Sequence, residues 1–235
     1  MNRTLFRWVK SVPGCCALLL LFLAGCSAGS AVSTRHFVPE STVVCNAIAV
    51  APFQTVPVDV SRGEYGICPL CGMMMRSCPC RSSGDPCRIV EDLFLEGLRE
   101  RKSPSVIPGE KVAAVYRRIL TDSFTLSQRE VMQALGRELQ VDHVLAGYVF
   151  CYRERKGYAY SVDTPSSVVF SVHLVRVEDG ALVWRGIFDK TQSSLFENLL
   201  SLPSFIRERG KWVTAGRLAE EGVTEILRTF PGTGE

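Results

Sequence analysis

The sequence of 235 residues lacks a net charge once its amino terminus is set aside. Arg3, Arg7 and Lys10 are the only charged residues before position 26, so 24 of the 27 basic side chains remain to balance 24 acidic ones. A neutral chain offers no long-range attraction to nucleic acid or to an anionic surface. We therefore expect no nucleic-acid partner.

The sequence also lacks familiar catalytic motifs. Ser-x-x-Lys, His-Glu-x-x-His and a Gly-rich phosphate loop are all missing, and the pattern Gly-x-Ser-x-Gly occurs only at residues 25–29, near the amino terminus. Histidine is scarce: besides His36 there are only His143, predicted at a helix–strand turn, and His173, predicted as a partly exposed strand residue. We expect a protein that is not an enzyme. With 46% hydrophobic and 22% charged residues, it still has the composition of a folded domain.

The amino terminus has the organisation of an export signal. Its apolar run, residues 15–25, is shorter than the roughly 20 residues that a transmembrane helix needs, and it lies between basic and small residues. The quartet Leu23-Ala24-Gly25-Cys26 resembles the bacterial lipobox, in which the cysteine is acylated and becomes the first residue. The resemblance implies a signal peptide over residues 1–25 and lipidation of Cys26.

Acylation of Cys26 predicts that the protein is anchored to a membrane. The buried acyl chains contribute about 0.8 kcal/mol for each methylene, which suffices for stable membrane anchoring by two or more chains. Ser27 stands where an aspartate would retain the protein at the inner membrane, so the resemblance to Gram-negative sorting signals favours the outer membrane, facing the periplasm. Small polar residues predict a flexible tether over residues 26–42, with the folded domain at residues 43–231.

Cysteine is concentrated in one stretch. Seven cysteines remain after removal of the signal and acylation of Cys26, and five of them lie within 20 residues: Cys68, Cys71, Cys78, Cys80 and Cys87. Cys45 and Cys151 stand apart in apolar runs, and we predict an inert core thiol at Cys151. An odd count predicts at least one thiol outside intramolecular disulfides, although the periplasm permits disulfides.

The cysteine cluster has three interpretations. One is a loop held by two disulfides; the other two are a structural zinc-like site and a functional soft-metal site for copper, formed by Cys68, Cys71, Cys78 and Cys80. The soft thioethers of residues 73–75 suit Cu(I), and residues 68–73 resemble the CxxCGM stretch of copper-carrying accessory lipoproteins. An alternative role for the three methionines is a hydrophobic contact patch.

Hydrophobic patterning predicts a single α/β domain. Residues 43–53 form a buried strand, followed by a Gly/Pro/Cys-rich insertion over residues 54–88. Amphipathic helices, short strands and a final Asp-Gly hairpin come next. The predicted segments are a helix around residues 90–98, a strand at 105–108, helices at 110–120 and after Ser127, strands at 143–152, 167–177 and 181–188, and a helix after Thr214. This order predicts an α/β sandwich with a mixed sheet.

Three segments carry a resemblance to a known group. Residues 48–53, residues 135–149 and residues 172–184 resemble, in order, the first strand, the helix-to-strand motif and the final hairpin of the group that contains the TolB amino-terminal domain, curli-secretion lipoproteins and penicillin-binding-protein activators. The resemblance implies a TolB amino-terminal-like fold and a non-catalytic role in envelope assembly. The cysteine-rich insertion and the missing pore hairpins depart from that group.

Exposed aromatic and basic residues give a candidate binding surface. Tyr152, Arg153 and Tyr158 flank a predicted polar hairpin tip, and Tyr and Arg are enriched at interface hot spots. The leading hypothesis is a lipid-anchored periplasmic accessory protein that binds an envelope protein. Metal handling through the insertion and a subunit of an oligomeric secretion channel, hence a homo-oligomer, are the alternatives.

Overall fold

The computed structural model describes residues 35–37, 45–58, 63–80, 84–101, 104–122, 125–157, 162–192 and 213–231. The helices within these ranges are α1 (Pro86–Glu100), α2 (Gly109–Asp122), α3 (Gln128–Leu139) and α4 (Ala215–Leu227). The strands are β1 (Arg35–Phe37), β2 (Ala47–Val50), β3 (Gln54–Thr55), β4 (Tyr65–Ile67), β5 (Met74–Arg76), β6 (Ser105–Val106), β7 (His143–Arg153), β8 (Lys156–Gly157), β9 (Val162–Thr164), β10 (Ser167–Arg176) and β11 (Leu182–Thr191).

A seven-stranded mixed sheet forms the middle of the domain. Its strand order is β1-β11-β10-β7-β2-β6, with β3 also paired to β7. The strands β2, β3 and β6 run parallel to their partners, and β1, β10 and β11 pair antiparallel. Separate two-stranded sheets are formed by β4 with β5 and by β8 with β9.

Capping residues mark the start of three of the helices. The Ser127 hydroxyl accepts the Glu130 amide while the Glu130 carboxylate accepts the Ser127 amide at 2.7 Å, which confirms the predicted capping box of α3. Asp85 caps α1, and the predicted cap Thr214 accepts the amide of Arg217 at 3.3 Å. Each cap supplies an acceptor for an amide that has no partner within its own helix.

Both faces of the sheet are covered. Helices α1 and α4 pack on one face, around Phe94, Phe170 and Phe188. Helices α2 and α3 cover only part of the other face, and the rest is covered by residues 63–80, which we call the hairpin segment. The predicted mixed-sheet α/β sandwich in a single domain is thereby confirmed.

Regular elements of the structure occur within the stretches predicted as insertion and tether. Strand β3 of the main sheet and the first turn of α1, which begins at Pro86, lie inside the stretch predicted as an insertion over residues 54–88. Strand β1 pairs with β11 although it lies inside the predicted tether, residues 26–42. The apolar layer and the ladder hydrogen bonds thus use more of the chain than its composition indicates. None of the helices in the described ranges is long and apolar enough to cross a membrane.

Candidate functional site

The hairpin segment is fixed to the sheet by its backbone. Strand β7 carries a bulge at Phe150, because Val149 and Cys151 pair with adjacent residues of β10. The Phe150 carbonyl accepts the Cys78 amide at 3.0 Å and the Ser77 hydroxyl at 2.9 Å. The extra residue in β7 therefore supplies the acceptor that holds the end of the segment.

The hairpin of β4 and β5 lies directly against the sheet. A Cβ atom on Gly66 would come within 2.9 Å of the Val56 side chain and 3.1 Å of the Phe150 ring. Met75, opposite Gly66, is buried against the same layer. An ion pair between Arg76 and Asp189 adds a contact with β11. Glycine at position 66 thus allows the backbone to approach the sheet closely.

The turn between β4 and β5 carries the CxxC motif. The Cys68 amide donates to the Met73 carbonyl and the Gly72 amide donates to the Cys68 carbonyl, each at 2.9 Å. Gly72 closes the turn with a φ of +69°, a conformation that glycine adopts without strain. The turn brings the sulfur atoms of Cys68 and Cys71 together above β10.

Three soft donors meet below this turn. The sulfur atoms of Cys68 and Cys71 and a ring nitrogen of His173 all lie within 4.8 Å of one another. The Cys68 sulfur lies 3.2 Å from Nε2 of His173, and the Ser171 hydroxyl lies 3.0 Å from the same nitrogen. Cys68 and His173 are buried, whereas Cys71 is half-buried.

The two thiols of the cluster have opposite acidities. The hydrogen bond from Cys68, helped by His173, lowers the pKa of the Cys71 thiol to about 3. The same hydrogen bond, together with burial, raises the pKa of Cys68. Cys71 is therefore the thiol of the pair that ionises more readily, and thiolate is the form that binds soft metals.

His173 differs from its predicted environment. It lies on the sheet face opposite to Val172 and Leu174, as strand alternation predicts, but it is fully buried instead of partly exposed. The hairpin segment covers it, and its Nδ1 has no hydrogen-bond partner among the described residues. Strand periodicity indicates the face on which a side chain lies but not which loop covers that face.

Cys78 and Cys80 do not join the cluster. Cys78 forms a disulfide with Cys151, 73 residues away, so neither of these two cysteines has a thiolate that could bind a metal. The prediction of an inert core thiol at Cys151 is therefore wrong. Cys80 packs with the α1/α4 layer on the opposite side of the sheet from Cys68 and Cys71. Of the four cysteines predicted to hold a metal, the structure brings together only Cys68 and Cys71, with His173 beside them.

The predicted surface at the end of β7 is not an exposed aromatic patch. Tyr152 is 2% exposed and packs in the α1/α4 layer, because the helices cover that face of β7. Arg153 is half-buried, and its Nε donates to the Pro165 carbonyl at 3.3 Å. Tyr158 and the lipidation residue Cys26 lie outside the described residues.

A different apolar surface lies on the hairpin segment. Tyr65, Ile67 and Met74 are 37%, 44% and 59% exposed and lie on the face of β4 and β5 that points away from the sheet. We call these three residues the apolar hairpin face. The sequence pattern that could have indicated this face is the alternation of strand residues, because Gly66 and Met75, at the middle of β4 and β5, point toward the sheet.

No protein-family model and no curated protein matches the sequence. Among solved structures, the PelC dodecamer from Paraburkholderia phytofirmans is 14% identical with a TM-score of 0.49, over 86% of this chain and 99% of that chain. The LpoB C-terminal domain from Escherichia coli is 11% identical with a TM-score of 0.38, over 65% and 87%. Lipoprotein GNA1162 from Neisseria meningitidis is 15% identical with a TM-score of 0.36, over 70% and 97%.

We expect the Cys78–Cys151 disulfide to contribute measurably to the free energy of unfolding. Replacing Cys78 and Cys151 together by alanine should lower the free energy of unfolding, measured in urea, by about 2–4 kcal/mol, because the bond closes a long loop of the unfolded chain. A reductant should lower the stability of the unmodified protein similarly and leave that of the double variant unchanged. An unmodified protein that is insensitive to reductant would contradict the disulfide.

Proposed function

We propose that this protein is a lipid-anchored accessory protein of the outer membrane that faces the periplasm and binds another envelope protein through the apolar hairpin face. Its role is binding and not catalysis. The observation that carries the proposal is the location of exposed apolar side chains. Of the four large hydrophobic residues exposed within the described ranges, Tyr65, Ile67 and Met74 share this one face, and Leu120 lies alone on α2.

The chemistry of the apolar hairpin face supports protein binding. Aromatic residues and methionine are enriched at the centre of protein interfaces, and single exposed hydrophobic residues, such as Leu120, are ordinary. Arg76 lies opposite Tyr65 and gives the face a charged margin. An apolar centre with a polar margin is the usual anatomy of a protein interface.

The attachment of the hairpin segment also supports binding. The Cys78–Cys151 disulfide, the bonds to the Phe150 carbonyl and the Arg76–Asp189 ion pair hold the segment against the sheet. A surface held in one conformation loses little conformational entropy when a partner binds. The apolar hairpin face is therefore already ordered for docking.

Membrane anchoring is supported by the sequence around Cys26. The lipobox-like quartet follows directly on the apolar run of the export signal, and no other cysteine follows small residues in that way. An acyl anchor would hold the domain at the membrane surface and raise its effective concentration toward envelope partners.

Replacing Cys26 by alanine tests the anchor. The variant should move from the membrane fraction to the soluble fraction, because it loses the acyl chains that bury apolar methylenes in the bilayer. The measurement is fractionation of cells after mild lysis, with mass spectrometry of the amino-terminal peptide. Cys80→Ser is the matched control and should stay with the membrane; retention of the Cys26→Ala protein there would contradict lipid anchoring.

Photo-crosslinking tests the proposed surface. A photoreactive amino acid at position 67 should give a discrete adduct with an envelope protein in intact cells, and the same residue at position 120 should not. Substitution of Tyr65 and Met74 by serine in the crosslinking chain should abolish most of the adduct, since truncation of an interface hot spot costs about 2 kcal/mol or more.

The outcomes of this experiment are distinct. Equal labelling from positions 67 and 120, or an adduct that survives the serine substitutions, would contradict binding through the apolar hairpin face. An adduct between two copies of this chain would mean that the apolar hairpin face binds a second copy instead of an envelope protein. This result would favour the oligomeric alternative. Unchanged melting temperatures of the variants would show that lost adducts do not reflect unfolding.

A further inference from the structure

We propose that Cys68, Cys71 and His173 bind one thiophilic d¹⁰ cation, Zn(II) or Cu(I), and that this ion fastens the turn of the β4–β5 hairpin to the sheet. This inference does not depend on the proposed partner-binding function. It rests on the convergence of two sulfur atoms and one imidazole nitrogen in the described part of the chain, within 4.8 Å of one another.

The spacing of the donors fits one ion. With Zn–S bonds of about 2.3 Å and Zn–N bonds of about 2.0–2.1 Å, neighbouring donors of a tetrahedral site lie roughly 3.5–3.8 Å apart. The Cys68 sulfur and Nε2 of His173 are 3.2 Å apart, and no pair in the cluster exceeds 4.8 Å. Small rotations of these side chains therefore suffice to coordinate an ion.

The donor types select the class of ion. Two sulfurs and one imidazole suit Zn(II) and Cu(I) and disfavour Mg(II) and Ca(II), which prefer oxygen. The fourth position of a tetrahedral site has two available donors: the Ser171 hydroxyl, 4.0 Å from the Cys68 sulfur, or water on the half-buried side of Cys71. That same side gives the ion a path of entry.

The positions of the donors assign the ion a structural role. Cys68 and His173 are 105 residues apart in sequence, so an ion between them links the hairpin turn to strand β10. The disulfide between Cys78 and Cys151 fixes the other end of the segment to β7. The apolar hairpin face lies between these two links, so the ion would hold it in place.

Metal content of the full-length protein, exported, acylated and purified in detergent without chelator, tests the site. We expect one Zn(II) or Cu(I) per chain and reduced Cys68 and Cys71. Separate titrations of metal-free protein with Zn(II) and with Cu(I) distinguish the two ions. Cys71→Ser should weaken the affinity by more than the about 10–100-fold typical of an outer-shell substitution, because it removes a direct ligand.

Matched variants separate ligand loss from unfolding. Cys80→Ser removes a cysteine of the same sequence stretch that lies on the opposite side of the sheet from the cluster, so it should keep full metal content, whereas His173→Gln should lose it. Added ion should raise the melting temperature of the unmodified protein and of Cys80→Ser but not of Cys71→Ser. Since Cys71 is half-buried, its serine variant should fold even if His173→Gln does not.

Three results would overturn the proposal. The first is reduced, folded protein that binds neither Zn(II) nor Cu(I). The second is unchanged affinity in Cys71→Ser. The third is exported protein in which Cys68 and Cys71 form a disulfide with each other and no metal is present.

Discussion

The fold depends on covering both faces of a mixed sheet with apolar side chains. Two helices complete one layer, but α2 and α3 cover only part of the second, and strands β7 and β10 place Phe150, Val169 and Ser171 under the remainder. The hairpin segment closes this area. It succeeds because a bulge in β7 frees the Phe150 carbonyl for the segment's own amide and hydroxyl groups. Burial of backbone on a sheet requires such partners.

Regular elements were predictable because their signals are local. The capping box at Ser127, the apolar spacing of α1 and the Gly180 turn between β10 and β11, with a φ of +72°, each depend on a few neighbouring residues. The mixed sheet of an α/β sandwich followed from the order of these elements along the chain. The four helices and the long strands β7, β10 and β11 were therefore predictable from the sequence alone, whereas the short strands β1, β3, β4 and β5 lie in stretches that were predicted as tether and insertion.

The site was only half predictable. The CxxC spacing of Cys68 and Cys71 placed two sulfurs on one turn, but their third neighbour, His173, is distant in sequence and looked like an exposed strand residue. Cys78 and Cys80 are two residues apart, yet they pack in layers on opposite sides of the sheet, which spacing does not reveal. Packing between segments that are distant in sequence decides which cysteine forms a disulfide, and a local sequence pattern does not contain that information.

Amide hydrogen exchange of the full-length protein, resolved by residue, tests most directly whether the hairpin segment is a fixed layer of the fold. The amides of Ser77 and Cys78 donate to Glu64 and Phe150, so they should exchange as slowly as the amides inside β7. Exchange of these two amides at the rate of an unstructured peptide, while β7 stays protected, would contradict the account.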